Sequence, residues 1–138
     1  MKFEEYIQYD ALGLAELVQS KQIQASEILE IAITRAEKVN PKINAIITPM
    51  YERARNKANS TSSGIFAGVP FLAKDLFQEY AGVPSSYGSN AYIRQQYTPK
   101  ENSEIVNRWE NAGVLSFGLT NTPELGIKGV TEPVAWGA

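Results

Sequence analysis

Gly68-Val69-Pro70-Phe71-Leu72-Ala73-Lys74-Asp75 is the stretch of this chain that decides its fold. Its first six residues are small or apolar, as in a strand buried on both faces of a mixed or parallel sheet. Gly68 and Pro70 restrict the path of the backbone, and Lys74-Asp75 interrupts the apolar run. We therefore predict a buried strand near residues 69–73 that carries a lysine at its carboxyl end.

A second buried strand is predicted near residues 114–118. It follows a helix that Asn102 or Ser103 can cap and that Gly113 can end in a left-handed conformation. The apolar side chains on one face of that helix are Ile105, Val106, Trp109 and Ala112. A strand, a crossover with a helix and a second strand make a parallel α/β unit. Residues 69–73 and 114–118 are therefore expected to be neighbours in one sheet.

The amino-terminal third has the capping residues and the apolar periodicity of helices. Asp10 can cap a helix that runs to about Ser20, and Ser26 can cap a second helix. The apolar stripe of the second helix consists of Ile28, Leu29, Ala32, Ala36 and Val39. Asn40-Pro41 is predicted to end it, because the residue before a proline disfavours the helical conformation. Two antiparallel helices over a core are expected.

Shorter segments connect these elements. Residues 43–48 form a β-branched run that suits a strand, and residues 51–59 are typical of a solvated surface helix. Residues 60–64 have the composition of a loop, and residues 81–100 that of a long irregular connection. Thr122-Pro123 is expected to open a short helical turn, with the proline at the first helical position.

Composition excludes several classes of protein. The 138 residues are 43% hydrophobic and carry a net charge of -2, which fits one modest core and argues against a nucleic-acid partner. Without cysteine or histidine, the chain lacks a thiolate nucleophile, a Ser-His-Asp base and nearly every zinc ligand set. No apolar run is long enough to span a membrane, and the Met-Lys-Phe-Glu-Glu start has no uninterrupted hydrophobic region of the signal-peptide kind. We expect a cytoplasmic protein without a cofactor.

Lys74 has two ordinary interpretations and two functional ones. It can extend to the surface from the end of the strand, or pair with a carboxylate such as Asp75 or Glu79. If burial lowers its pKa, the neutral amine can act as a base for a serine nucleophile. The same amine can also form a Schiff base with a carbonyl substrate. The residues alone leave all four interpretations open.

Four ordered blocks resemble the amidase-signature family. The first is residues 68–75, followed by Tyr87-Gly88-Ser89, Asn111-Ala112-Gly113-Val114 and Thr120-Asn121-Thr122-Pro123-Glu124-Leu125-Gly126. The helical start, including residues 39–45, is also similar, so the resemblance covers nearly the whole chain. The last eight residues, 131–138, look most like the bacterial branch that contains 6-aminohexanoate-cyclic-dimer hydrolase.

The resemblance implies an activity and a role for Lys74. In this family a serine attacks the amide carbonyl, a second serine in a cis peptide relays the proton, and the lysine acts as base and then as acid. Both serines belong to a Gly-Gly-Ser-Ser-Gly-Gly block that these 138 residues do not contain. None of Ser85, Ser86, Ser89, Ser103 and Ser116 has a matching context. Leu125 and Gly126 correspond to positions that often border the acyl pocket, and they suit a plain strand-to-helix turn equally well.

The resemblance also implies an incomplete α/β fold, with helices packed on part of a mixed sheet. Residues 1–138 would be the amino-terminal segment of a single amidase-signature domain, truncated before the glycine- and serine-rich block. Its complete form would act on a small-molecule amide, while the isolated chain would be inactive and would self-associate through exposed apolar faces. An alternative is a non-catalytic binding or assembly module that uses the Tyr80–Tyr97 loop.

Overall fold

A mixed three-stranded sheet lies at the centre of the computed structural model, which describes residues 1–60 and 63–138. The strands are β1 (Ile46–Pro49), β2 (Pro70–Lys74) and β3 (Leu115–Thr120), in the spatial order β1-β3-β2. β2 pairs with β3 in parallel, and β1 pairs with β3 antiparallel. The predicted parallel neighbours are confirmed, and the fold is α/β as expected.

The central and outer strands differ in burial. In β3 the residues from Leu115 to Leu119 are all buried. In β2 only Ala73 is buried, and Lys74 is exposed. The prediction that this stretch is buried on both faces is therefore wrong for the described residues, because β2 lies at an edge of the sheet and packs against β3 on one side only.

The helices precede the sheet or lie in its connections. In chain order they are α1 (Phe3–Tyr6), α2 (Ala11–Gln19), α3 (Ala25–Ile43), α4 (Tyr51–Ala58), α5 (Asn90–Arg94) and α6 (Glu104–Ala112), followed by a 3-10 turn at Glu124–Gly126. The short α5 lies within the predicted irregular connection. Of the loop predicted at residues 60–64, Thr61 and Ser62 lie outside the described residues. None of the helices described is both long and apolar enough to cross a membrane.

Two helix starts show how capping acts here. Asp10 caps α2 as predicted, with its Oδ1 accepting from the Gly13 N–H at 2.8 Å. The prediction that Ser26 caps the next helix is wrong, because α3 begins at Ala25 with Gln24 at its N-cap. There the Glu27 carboxylate accepts from the Gln24 N–H at 3.1 Å. A carboxylate three residues inside the helix thus satisfies a backbone donor that precedes it.

The end of α3 also differs from the prediction. The helix continues through Pro41 to Ile43, and Asn44 then adopts a left-handed conformation with φ of 46°. Asn40 stays helical while its side-chain amide bonds both the N–H and the carbonyl of Ile46, at 2.7 and 2.8 Å. These bonds join the last turn of α3 to the start of β1, so the loss of one backbone donor at the proline does not end the helix.

Clusters of apolar side chains join the helices to the sheet. One cluster connects α3 and α4 to β3 through Leu29, Ile33, Ala54, Leu115 and Phe117. Another connects α6 to β2 and β3 and consists of Met50, Ala73, Tyr80, Val106 and Leu119. Packing on both clusters holds the carboxyl ends of β2 and β3 side by side, which is the edge where sites gather in open α/β sheets.

Candidate active site

Lys74 is the last residue of β2 and lies opposite Thr120 at the end of β3. Its N–H donates to the Gln78 side chain at 2.6 Å, and its carbonyl accepts from the Leu76 N–H at 2.8 Å. The next N–H, that of Asp75, donates to the Thr120 carbonyl at 3.0 Å. The backbone that carries the lysine is therefore fixed on both sides, while the side chain is exposed.

Neither of the two predicted carboxylates pairs with Lys74. Among the described residues it forms no ion pair. The Asp75 carboxylate is buried and accepts hydrogen bonds from the hydroxyls of Ser85 and Ser86. The Glu79 carboxylate accepts from the hydroxyls of Tyr87 and Tyr97. The ion-pair interpretation of Lys74 is wrong in this structure, which leaves its amine available at the sheet edge.

Asp75 is 1% exposed and is the centre of a buried polar network. Its Oδ1 accepts from the Ser85 hydroxyl at 2.6 Å. Its Oδ2 accepts from the Ser86 N–H at 2.9 Å and from the Ser86 hydroxyl. Three hydrogen bonds thus replace the water that a buried carboxylate loses. Neither serine was predicted from the sequence to bond Asp75.

Trp136 connects this network to the end of the chain. Its indole Nε1–H donates to the Ser86 hydroxyl oxygen at 2.8 Å. Two asparagine amides hold the adjacent backbone, because Asn44 donates to the Trp136 carbonyl at 2.6 Å and Asn121 donates to the Gly137 carbonyl at 3.0 Å. The chain's last residues are therefore bound beside the strand ends. No spacing rule relates residues so far apart in sequence, so this arrangement could not be predicted.

A cluster of tyrosines lies next to the network. The rings of Tyr87 and Tyr92 are 4.7 Å apart, and those of Tyr92 and Tyr97 are 5.4 Å apart. Burial and the hydrogen bond to Glu79 raise the pKa of Tyr87 far above its usual value. The hydrogen bond to Glu79 is the main cause that raises the pKa of Tyr97. The tyrosines are mostly engaged with one another and with a carboxylate.

Leu125 and Gly126, the predicted pocket residues, lie in the 3-10 turn after β3 and are exposed. The Leu125 N–H donates to the Tyr87 carbonyl at 2.8 Å. A side chain at Gly126 would come within 2.7 Å of the Leu76 Cδ2 atom, two residues beyond Lys74. The turn thus borders the loop that follows the lysine. Pro123 precedes the turn, so the prediction that it occupies the first helical position is wrong by one residue.

Lys74 has no hydroxyl partner among the described residues. No serine hydroxyl of the described residues bonds Lys74, and those of Ser85 and Ser86 donate to Asp75 instead. Within the described residues no cluster of His, Cys, Asp or Glu could hold a metal ion. The site therefore presents a single amine, at the carboxyl end of a parallel strand, for acid-base or Schiff-base chemistry.

Comparison with known proteins agrees with this geometry. The amidase family model matches residues 27–138. The 6-aminohexanoate-cyclic-dimer hydrolase of Paenarthrobacter ureafaciens is 42% identical over 129 residues, which are 94% of this chain and 26% of that protein. A lipoamidase of Enterococcus faecalis is 35% identical over 96% of this chain and 18% of its own length.

A solved structure of a 6-aminohexanoate cyclic dimer hydrolase with its substrate superposes with a TM-score of 0.89, at 42% identity over 94% of this chain and 27% of that one. The chain therefore belongs to the amidase family and corresponds to the amino-terminal part of its amidase-signature domain. It spans about a quarter of the length of the hydrolases that it resembles.

Proposed function

We propose that this chain is the lysine-bearing segment of an amide hydrolase, in which Lys74 is the general base for a serine nucleophile outside these 138 residues. The observation that carries the proposal is the placement of Lys74, whose backbone is bonded to Gln78 and Leu76 while its side chain stays out of ion pairs among the described residues. A base must not be held protonated by a carboxylate partner, and it must lie near the reacting atoms. The carboxyl end of β2 supports such a position, because sites gather at this edge in open α/β sheets.

The substrate that we propose is a small carboxylic amide. Two relatives are named 6-aminohexanoate-cyclic-dimer hydrolase and lipoamidase. Leu125 and Gly126 would border the acyl group, since they flank the loop after Lys74. Lys74 is exposed in this segment, so the burial that a neutral amine needs would come from the remainder of the domain.

A chimera tests the proposal directly. This chain replaces the matched 129-residue segment of the Paenarthrobacter hydrolase, to which it is 42% identical. We expect hydrolysis of the cyclic dimer, and we expect Lys74→Ala to lower kcat by about 10²-fold or more, because the base is lost. Lys100→Ala, at another exposed lysine, is the matched control and should stay close to the parent chimera.

A folded chimera whose kcat survives Lys74→Ala would refute the role of Lys74. The isolated chain should show no amide hydrolysis, because nucleophile, relay and oxyanion donors are all missing.

Borohydride trapping of a carbonyl compound on Lys74 would instead support a Schiff-base enzyme. The packing of Tyr87, Tyr92 and Tyr97 on one another favours the amidase proposal over a binding module that presents those tyrosines.

We also propose that the isolated chain self-associates. Phe77, Ile127 and Val134 are 63%, 79% and 89% exposed, and the outer edge of β2 has no partner strand among the described residues. Exposed apolar side chains and free strand edges promote association. Light scattering at micromolar concentration should show oligomers, and Ile127→Ser with Val134→Ser should reduce them. A monodisperse monomer of the unmodified chain would contradict this prediction.

A further inference from the structure

Asp75 is a buried carboxylate whose charge no cation balances within the described residues. Taking a carboxylate out of water costs several kcal/mol, which hydrogen bonds must offset. Here the Ser85 hydroxyl and two groups of Ser86 supply them. These three donors converge on the residue that directly follows Lys74, so the network acts at the base rather than at a remote part of the core.

The inward direction of Asp75 constrains the outward direction of Lys74. Successive side chains of a strand point to opposite sides. Because Asp75 still donates its N–H to Thr120 of β3, the sheet bonding extends one residue past Lys74. Holding the Asp75 carboxylate in the interior therefore turns the Lys74 side chain to the opposite side, where it is exposed. A rotation of this peptide would move both side chains together.

Ser86 extends the same network to the chain's last residues. Its hydroxyl donates to Asp75 and accepts from the Trp136 indole at 2.8 Å. The Trp136 carbonyl is in turn held by the Asn44 amide at 2.6 Å. Movement of the segment around Trp136 is therefore coupled through one hydroxyl to the peptide that carries Lys74.

We propose that Asp75 is a positioning residue for Lys74, and that Ser86 and Trp136 link the position of the carboxyl-terminal segment to it. This inference rests on the proposed function, because it assigns Asp75 a part in placing the base. It predicts that removing the carboxylate changes both the position of Lys74 and the surroundings of the Trp136 indole. A purely structural carboxylate would change only the stability of the fold.

The test uses the 138-residue chain and the variant Asp75→Asn. Asparagine keeps the shape of aspartate but replaces one acceptor oxygen with an NH₂ group, which cannot accept from the serine that it faces. Two-dimensional ¹⁵N NMR follows the indole N–H, for which the chain has only Trp109 and Trp136. Native-state hydrogen exchange follows the amides of Lys74 and Leu76.

For Asp75→Asn we expect the Trp136 indole resonance to move and the Leu76 amide to exchange at least about tenfold faster, since the bonded turn opens more often. The matched control is Asp10→Asn, which changes the chain's other aspartate at the α2 N-cap and should leave both signals unchanged. Unchanged signals in a folded Asp75→Asn chain would overturn the proposal, as would a lower melting temperature alone.

A milder variant keeps the proposal falsifiable if Asp75→Asn does not fold. Ser86→Ala leaves the carboxylate and its bond from Ser85 but removes the hydroxyl that joins Asp75 to Trp136. It should shift the indole resonance and accelerate exchange at Leu76, and a folded Ser86→Ala chain without these changes would refute the coupling. These readouts do not depend on hydrolysis. The positioning proposal can therefore fail while Lys74→Ala still inactivates the chimera, and it can hold even if Lys74→Ala leaves the chimera active.

Discussion

At the scale of single residues, the neighbourhood of Lys74 was only partly predictable. An apolar run followed by Lys-Asp indicates a strand end, and the structure confirms that end at residue 74. The partners of Asp75 were missed because Ser85 and Ser86 reach it only when the following loop folds back. Local sequence carries no signal for such a return, since hydroxyl groups suit many surroundings equally well.

Gly113 gives a prediction at this scale. It ends α6 with φ of 94°, and a side chain there would lie 2.3 Å from the Ser63 carbonyl oxygen and 2.8 Å from the Ala67 Cα. Gly113→Ala should therefore lower the free energy of unfolding by about 3 kcal/mol, from backbone strain plus overlap. Urea unfolding monitored by circular dichroism measures the change.

The matched control for Gly113→Ala is Gly82→Ala. Gly82 also has positive φ, at 76°, but nothing lies within 4 Å of the added carbon. It carries only the strain of a left-handed alanine, about 1 kcal/mol. Equal losses for the two variants would show that the close approach of Ser63 and Ala67 does not matter.

At the scale of elements, caps and periodicity predicted helices well where the residues act locally. α2 and α6 have the bounds that Asp10 and Gly113 indicate. The end of α3 could not be predicted, because the Asn40 side chain bonds the Ile46 backbone beyond the helix. These bonds offset the tendency of Pro41 to end the helix. The burial of β2 was overestimated because an apolar run does not reveal whether a strand has one partner or two.

The contact between α3 and α4 yields a second prediction. Arg55 on α4 bonds both oxygens of Glu30 on α3, at 2.6 and 2.9 Å, and these bonds lower the pKa of the Glu30 carboxyl. Both side chains are substantially exposed, at 37% and 48%. Solvent therefore screens the pair, and Arg55→Ala should lower the free energy of unfolding only slightly at neutral pH.

The pH dependence of this pair has a defined sign. Because the folded pKa of Glu30 lies below its unfolded value, the stabilisation is present above the unfolded pKa and is lost as the pH falls through the folded one. The difference in urea midpoint between the unmodified chain and Arg55→Ala should therefore shrink toward about pH 3. A difference that persists in acid would mean that Arg55 acts through packing.

At the scale of the whole molecule, family membership was predictable from ordered blocks although single elements were partly misplaced. The match over residues 27–138 confirms the assignment. Blocks along the chain survive errors of a few residues in helix bounds, because each block carries its own sequence pattern. The tertiary links of Trp136 remained invisible, since they join segments that only the finished fold brings together.

Several tyrosines together make the fold sensitive to alkali. Burial is the main cause that raises the pKa of Tyr80 and of Tyr87, and the Glu79 hydrogen bond is the main cause for Tyr97. A raised folded pKa means that stability is complete below the unfolded value and declines as the pH rises through the folded values. The free energy of unfolding should therefore fall above about pH 10.

Urea unfolding at about pH 9 and pH 11, with phenolate absorbance recorded in parallel, measures this decline. Tyr87→Phe removes one of the shifted groups, so its stability should fall less steeply over the same range. A slope identical to that of the unmodified chain would show that Tyr87 does not contribute to the alkaline loss.

The strand order also determines when the sheet can form during synthesis of the chain. Among the described residues β1 and β2 pair only with β3, which is made last of the three, so this sheet cannot be complete until residue 120 has left the ribosome. At about 5–20 residues per second, β1 then waits several seconds without its partner. Pairing between strands that are distant in sequence slows folding. Until β3 is made, β1 and β2 are the segments that a chaperone would shield.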